Sequence, residues 1–384
     1  MEKVFCSIVG GGVVGCAIAY ELSQKYQGIF LFEKNRYLGE EQSGRNSGVI
    51  HAGIYYKPGS LKSRLCVEGN RLIYRFCAEN GVAALRIGKI IVATNSDEEQ
   101  IIKRLLIRAK RNGVPGVHLI DGAEVAAFQP GVKAVSALHL PTTGIVNAAT
   151  LIKTLAKLAR MNGVSILTQA TVSGISVREE RLEVRVLYGN GKEERFLSEW
   201  VVNAAGLYSD EVARLADSEE TYKIIPFRGE YYYYNAVSAD LEVKTNVYPA
   251  PVLVKVGTKE RYDVGVHLTP TFGLESDGRE RLSKRILVGP LGRVISHKND
   301  YQTGRLPPEE FISRVQPFFP VLRVENLRLE YAGIQAKPAH TDDFTIKRSR
   351  IHPHMINLVG IDSPGLTSSL AVAKFVALLF KDSE

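Results

Sequence analysis

The residues best placed to do chemistry stand near the start of the chain. Gly10, Gly12 and Gly15 supply GxGxxG spacing within GGGVVG. In that pattern the first glycine permits a tight turn and the second, lacking a Cβ, lets a pyrophosphate reach the backbone. The third lets a helix pack closely on a strand. Val13 and Val14 fall in the first helical turn, whose free N–H groups and partial positive charge suit phosphate. Glu33 ends the run IFLFE, about 20 residues on, where a carboxylate accepts from ribose hydroxyls; Lys34 follows it. The chemistry implied is dinucleotide binding. The motif does not choose between FAD and NAD, but Glu33 disfavours NADP, whose 2′-phosphate it would repel.

These residues need a strand, a helix and a second strand in order. VFCSIV, VVGCAIAYELSQKY and IFLFE supply them. Residues 40–59, EEQSGRNSGVIHAGIYYKPG, are polar and glycine-rich without a period, which predicts a loop. Arg45, Asn46 and Ser47 in it suit a pyrophosphate clamp. His51 and the Tyr55–Tyr56 pair lie further along, towards the reacting end of a cofactor. A helix over LKSRLCVEGNRLIYRFCAEN follows, stopped by Gly81.

Further along, KIIVATN reads as a strand, residues 97–112 as a basic amphipathic helix and residues 147–162 as a helix closed by Gly163. Strands follow at VSILT, TVSGISV and LEVRVLY. EWVVNAAGLYSDEVARL repeats the strand–glycine–helix order, offering Ala205 and Gly206 as a second close approach. Residues 221–334 shift to Tyr, Pro, Val and Arg with strand-like alternation. The stretch HMINLVGIDSPGLTSSLAVAKFVALLF is strand–loop–helix again, with Thr367 and Ser368 available for capping. The expected fold is α/β: a Rossmann-like dinucleotide-binding domain built from residues 1–86, 145–220 and 335–384, with a β-rich substrate domain from 87–144 and 221–334 threaded between them.

Composition excludes several classes. The chain has 384 residues, 45% hydrophobic and 23% charged, ordinary for a globular protein long enough for two domains. No run of about 18 apolar residues predicts a membrane span, and the first apolar stretch lacks the basic leader of a signal peptide. The formal charge of +8 comes from 49 basic and 41 acidic residues, well interleaved. It favours an anionic substrate, or peripheral contact with anionic lipid at the inner face of a membrane, over nucleic acid. Cys6, Cys16, Cys66 and Cys77 form no CxxC pair. They predict no disulfide framework, no metal site and a reducing, cytoplasmic setting.

Several blocks carry a family resemblance. Besides the fingerprint with Glu33, they are SGRNSGVIHAGIYYKPGSLKSRLCVEG at 43–69, PTTGIV at 141–146 and VVNAAGLYSD at 201–210. FRGEYY at 227–232, GVH at 265–267 and GIDSPGLTSSLA at 360–371 complete the set. The chain resembles the FAD-dependent D-amino-acid-oxidase-type superfamily, and within it the L-2-hydroxyglutarate dehydrogenase/oxidase branch, over nearly its whole length. That resemblance implies an extended FAD whose ADP half rests on Gly10, Gly12, Gly15 and Glu33. Arg45, Asn46 and Ser47 would lie near the pyrophosphate and ribityl chain. Val172 would offer backbone contact to adenine, and Ala205 and Gly206 would pass close to the cofactor. Gly365, Leu366 and Thr367 would meet the flavin edge, where a helix N-terminus stabilises negative charge.

The resemblance also implies hydride removal from a carbon bearing a hydroxyl, with a neutral histidine accepting the hydroxyl proton. His51 and His267 are the candidates. An anionic substrate needs cationic or hydroxyl anchors, and Arg228 in FRGEYY is the first choice, with Tyr231, Tyr55 and Lys337 behind it. Members of the branch often carry arginine in the AGI-x-A stretch, where this chain has Gln335; glutamine cannot grip a carboxylate as a charged fork does. The polar segment after GVH reads as a long insertion, a second departure. Oxygen, a quinone or an electron-transfer protein are all open as electron acceptor. An amine- or amino-acid-oxidising enzyme, or a flavin-binding electron-transfer subunit, are the alternative readings on the same fold.

Overall fold

The structure, a computed structural model, describes residues 1–256 and 259–381. It opens as the fingerprint requires. β1 (Glu2–Val9) and β2 (Ile29–Glu33) pair in parallel, Cys6 opposite Ile29. Between them α1 (Val13–Ser23) crosses over. Apart from Val14, Tyr20 and Glu21 every residue of α1 is buried, because the helix is covered by the sheet on one side and by the helices Ala148–Met161 and Gly365–Lys381 on the other. That explains an apolar sequence with little amphipathic pattern.

The first sheet has a parallel core in the order Ser165–Thr168, β2, β1, Glu193–Asn203 and Met355–Val359. The hairpin Ala170–Arg178 and Arg181–Tyr188 extends it antiparallel. Its strands therefore come from three separated stretches of sequence. The second sheet has eight strands, running from Arg328–Pro338 through Ile224–Asn235, Glu280–Val294, His267–Leu274, Asn246–Pro249, Lys89–Ala93 and Ser136–Leu140 to His118–Asp121. A cavity lies between the two sheets and is lined from both.

α2 (Leu61–Asn80) begins at Ser60, whose hydroxyl accepts from the Ser63 amide at 3.2 Å, and ends on left-handed Gly81. α3 (Ser96–Arg111) is capped by Asn95 and carries Asp97, Glu98 and Glu99 in its first turn and Arg108, Lys110 and Arg111 in its last. This charge order opposes the helix dipole favourably.

Three local expectations change, and a fourth gains its structure. The strand Arg328–Pro338 runs across the expected boundary at 334/335, so Gln335 and Lys337 sit on the second sheet, paired with Phe227 and Ile225. The polar segment after His267 folds as a hairpin, Thr269 opposite Leu287 and Leu274 opposite Glu280; its polar residues are the outer, solvent-facing end of two long strands. The 40–59 loop contains a two-residue strand, Val49–Ile50, pairing with Gly144–Val146. Thr367 and Ser368 do not cap their helix: both are fully buried inside it.

Candidate active site

The cavity has a volume of about 1840 Å³ and is large enough for a dinucleotide with a small substrate beside it. At one end lies the β1–α1 turn. Gly10 has φ +109°, and a Cβ there would stand 2.5 Å from Ala204 O. A Cβ on Gly15 would stand 1.9 Å from Gly10 O, so only glycine lets α1 seat this close to β1. Gly10, Gly12, Val13 and Val14 line the cavity. No side chain of Gly12 caps α1; instead the Ser43 hydroxyl accepts from the Val13 amide at 3.0 Å.

Glu33 borders the same end, with Ala170, Thr171 and Val172 beyond it. Its carboxylate accepts from the Gly11 amide at 2.7 Å and the Asn35 amide at 2.8 Å. Burial pushes its carboxyl above the ordinary range, and those two amides pull it part of the way back. Lys34 also lines the wall and forms an ion pair with Glu41 at 2.6 Å.

Midway, Ala205, Gly206, Arg45, Asn46, Ser47, Gly365 and Leu366 all line the wall. The polar side chains among them differ in use. Arg45 stacks over the Tyr301 ring at 4.4 Å and donates from Nε to Glu40 O at 3.1 Å. The Asn46 amide is spent on the loop itself, donating to Gln42 O and Ser43 O and accepting from the Gly48 amide. Ser47 bonds the Tyr231 hydroxyl, fixing a ring that also leans on Tyr331 at 5.0 Å.

The far end holds both histidines. The backbone of His51 is gripped on two sides: its amide donates to Thr367 Oγ1 at 2.9 Å, and Asn70 Nδ2 donates to its carbonyl at 2.9 Å. Thr367 thus acts from behind the wall. His51 Nε2 faces Ser363 Oγ at 3.3 Å, while Nδ1 is buried with no partner among the described residues. Burial, helped by the nearby Lys89 cation, pushes its pKa down to about 3. His267 stacks on Tyr248, ring centres 3.9 Å apart and 8° from parallel, with Nδ1 3.0 Å from Thr269 Oγ1. Burial, then Lys89 and His51, hold it well below the usual histidine range. Two neutral imidazoles therefore line the cavity.

Gln335 and Lys337 line the wall nearby. Lys337 shares Asp362 with Lys62, at 3.3 and 2.6 Å. Burial would raise the Asp362 carboxyl, but the two ammonium groups overcome it and hold it below the usual range.

Arg228 is not an anchor. It is fully buried, and its Nε and Nη2 donate to Glu230 Oε1 at 3.1 and 2.8 Å. The rest of its guanidinium serves Asp300 O and Thr303 O. The reason is strand geometry: Ile225, Phe227, Gly229 and Tyr231 line the cavity, so Arg228 between them points to the opposite face.

Two cations that sequence reasoning passed over stand at this end. Lys89 is 1% exposed, and its Nζ lies over the rings of Tyr248 at 4.4 Å and Tyr55 at 4.9 Å. Arg108 on α3 lines the cavity, stacks over Tyr262 at 4.9 Å and donates to Tyr55 O at 3.1 Å. Lys89 reads as the polar start of an apolar strand and Arg108 as one of several surface bases on a helix, so neither carries a local signal.

The turn, the acid and the elongated cavity fit FAD: a Cβ on Gly10 or Gly15 would fill the turn that its phosphates must approach, and Glu33 borders the same end. This is the site of an FAD-dependent oxidoreductase. The chain belongs to the DAO family of FAD-dependent oxidoreductases, whose family model matches residues 6–379. It is 31% identical over 410 residues to the mitochondrial L-2-hydroxyglutarate dehydrogenase of Mus musculus, covering 96% of this chain and 86% of that one. The bacterial L-2-hydroxyglutarate dehydrogenase of Indibacter alkaliphilus is 30% identical, covering 95% and 96%. Among solved structures, L-alpha-glycerophosphate oxidase from Mycoplasma pneumoniae with FAD bound has a TM-score of 0.87 at 28% identity, covering 99% and 95%. Glycine oxidase from Geobacillus kaustophilus, at TM-score 0.81 and 20% identity over 100% and 96%, shares the fold. When bound, FAD supplies the two-electron acceptor.

Proposed function

We propose that this protein oxidises L-2-hydroxyglutarate to 2-oxoglutarate. The observation that carries the reading is the match to L-2-hydroxyglutarate dehydrogenases over 95–98% of the chain. Geometry supports it, because oxidation of a hydroxyl needs a base and His51 and His267 stand uncharged on the wall. The substrate loses a hydride from its carbinol carbon and a proton from its hydroxyl. His51 takes that proton at Nε2, since Nδ1 is sealed from the cavity. Ser363, facing Nε2, orients the ring. His267, held flat by Tyr248, shapes the pocket beside it.

An anaerobic titration tests the reading. Flavin absorbance should bleach with L-2-hydroxyglutarate, and neither its D-enantiomer nor glutamate should bleach it. Bleaching by amino acids alone would place the chain among amine-oxidising members of the fold. Reoxidation of the bleached enzyme by oxygen, quinone or an electron-transfer protein then identifies the acceptor.

A further inference from the structure

A dicarboxylate carries one carboxylate beside the reacting carbon and a second at its far end. The cavity's lysines nearest the flavin-edge loop are already matched: Lys62 and Lys337 hold Asp362. Arg228 is locked to Glu230. Arg108 and Lys89 are different. Neither has a carboxylate partner among the described residues, although Lys89 is fully buried and Arg108 half-buried. A buried cation without a counter-ion is costly unless something supplies one.

The two cations meet on one aromatic surface. Lys89 Nζ sits between the rings of Tyr55 and Tyr248. Tyr55 leans on Tyr262 with ring centres 6.2 Å apart, and Arg108 covers Tyr262 and bonds the Tyr55 carbonyl. Tyr248 in turn stacks on His267. The hydroxyls of Tyr55 and Tyr248 are buried and have no hydrogen-bond partner among the described residues. All of these rings line the cavity. Arg108 and the rings therefore form one patch of the wall beside His267, with Lys89 and two unpaired hydroxyls packed directly behind it.

We propose that Arg108, backed by the buried Lys89 and the rings of Tyr55 and Tyr248, forms the subsite for the substrate's distal carboxylate. Arg108 offers the planar fork, Lys89 the buried charge behind it, and the tyrosine rings hold both in place. The subsite replaces the anchor that Arg228 does not provide. It selects dicarboxylates over monocarboxylates of the same length, because a neutral tail leaves the two cations without a counter-ion. Burial lowers the Lys89 pKa to about 7, so an arriving anion also restores its proton. The proposal rests on the hydroxy-acid reading above.

The test uses the FAD-loaded protein and two probes that cannot react, glutarate and pentanoate, followed by their perturbation of the flavin spectrum. The parent should bind glutarate far more tightly. Arg108→Met should weaken glutarate by about 10–150-fold and leave pentanoate and FAD content unchanged. Lys89→Met should act in the same direction, and Arg108→Lys should fall between, keeping the charge but losing the fork. Equal binding of the two probes by the parent, or equal weakening of both by Arg108→Met, overturns the subsite. A parent that prefers glutarate but is bleached by no 2-hydroxy acid overturns the oxidation reading instead and leaves the subsite standing.

Discussion

A histidine in water titrates near pH 6.5, in the middle of the range where enzymes work. His51 does not, because burial and the Lys89 charge push it down to about 3. The sign of the consequence is simple. A base must be unprotonated to act, and His51 gains a proton only as pH falls through about 3. Its limiting rate of flavin reduction should therefore be flat from pH 5 to 8, with no acid limb near 6.5. His51→Gln should lower that rate by about 10²–10⁴-fold, the usual cost of a lost general base, while substrate affinity changes little. Stopped-flow reduction at saturating substrate reads both. An acid limb near pH 6–7 in the parent but not in the variant would mean that the histidine is solvated and charged in the working enzyme. An unchanged rate in the variant would transfer the role to His267.

At the scale of elements, His51 is only as well placed as the helices behind it. Its amide rests on Thr367 in the helix Gly365–Lys381 and its carbonyl on Asn70 in α2. Those two helices touch at Gly69, where a Cβ would stand 2.3 Å from Thr367 O and 2.8 Å from Ser368 Cα. Backbone cannot yield there, so Gly69→Ala must part the helices. It should cost roughly 1–3 kcal/mol, as overpacking does, and lower both FAD retention after gel filtration and the reduction rate. Full FAD content together with the parent's rate would show that the contact is slack. Such couplings mark the limit of sequence reading. The β1–α1–β2 unit was legible because turn, helix and acid lie within 33 residues and each part has a local signature. Gly69 sits in an ordinary helical pattern, and its partner lies about 300 residues away. Arg228 was misjudged for a related reason: FRGEYY shows which residues are present, but only the strand's period of two, set against the second sheet, decides which face each takes. Lys89 was invisible because its meaning comes from Tyr55 and Tyr248, brought in from distant parts of the chain.

At the scale of the whole molecule, a buried lysine opposes folding, and sites built for function commonly carry such a cost. The groups facing Lys89 are Tyr55, Cys66 on α2, Tyr248, His51 and His267. Burial pushes the tyrosines and the thiol up and the histidines down, so all five stay neutral between pH 5 and 9. Lys89 is then the member of the cluster that titrates in that window, at about 7 in the folded protein against about 10.4 in the unfolded chain. Below pH 7 both states hold the proton, and the cost of burying the charge is felt in full. Between about 7 and 10.4 the unfolded chain holds a proton that the native state has lost, so stability from this group rises with pH by ~1.4 kcal/mol per unit. Lys89→Met removes the effect. The variant should gain most over the parent at pH 6, and the gain should shrink towards pH 9. Urea unfolding of both proteins, each saturated with FAD, measures the difference at the two pH values and cancels every other titrating group. A gap that stays constant from pH 6 to 9 would mean that Lys89 keeps its proton throughout, its charge already compensated in the folded protein.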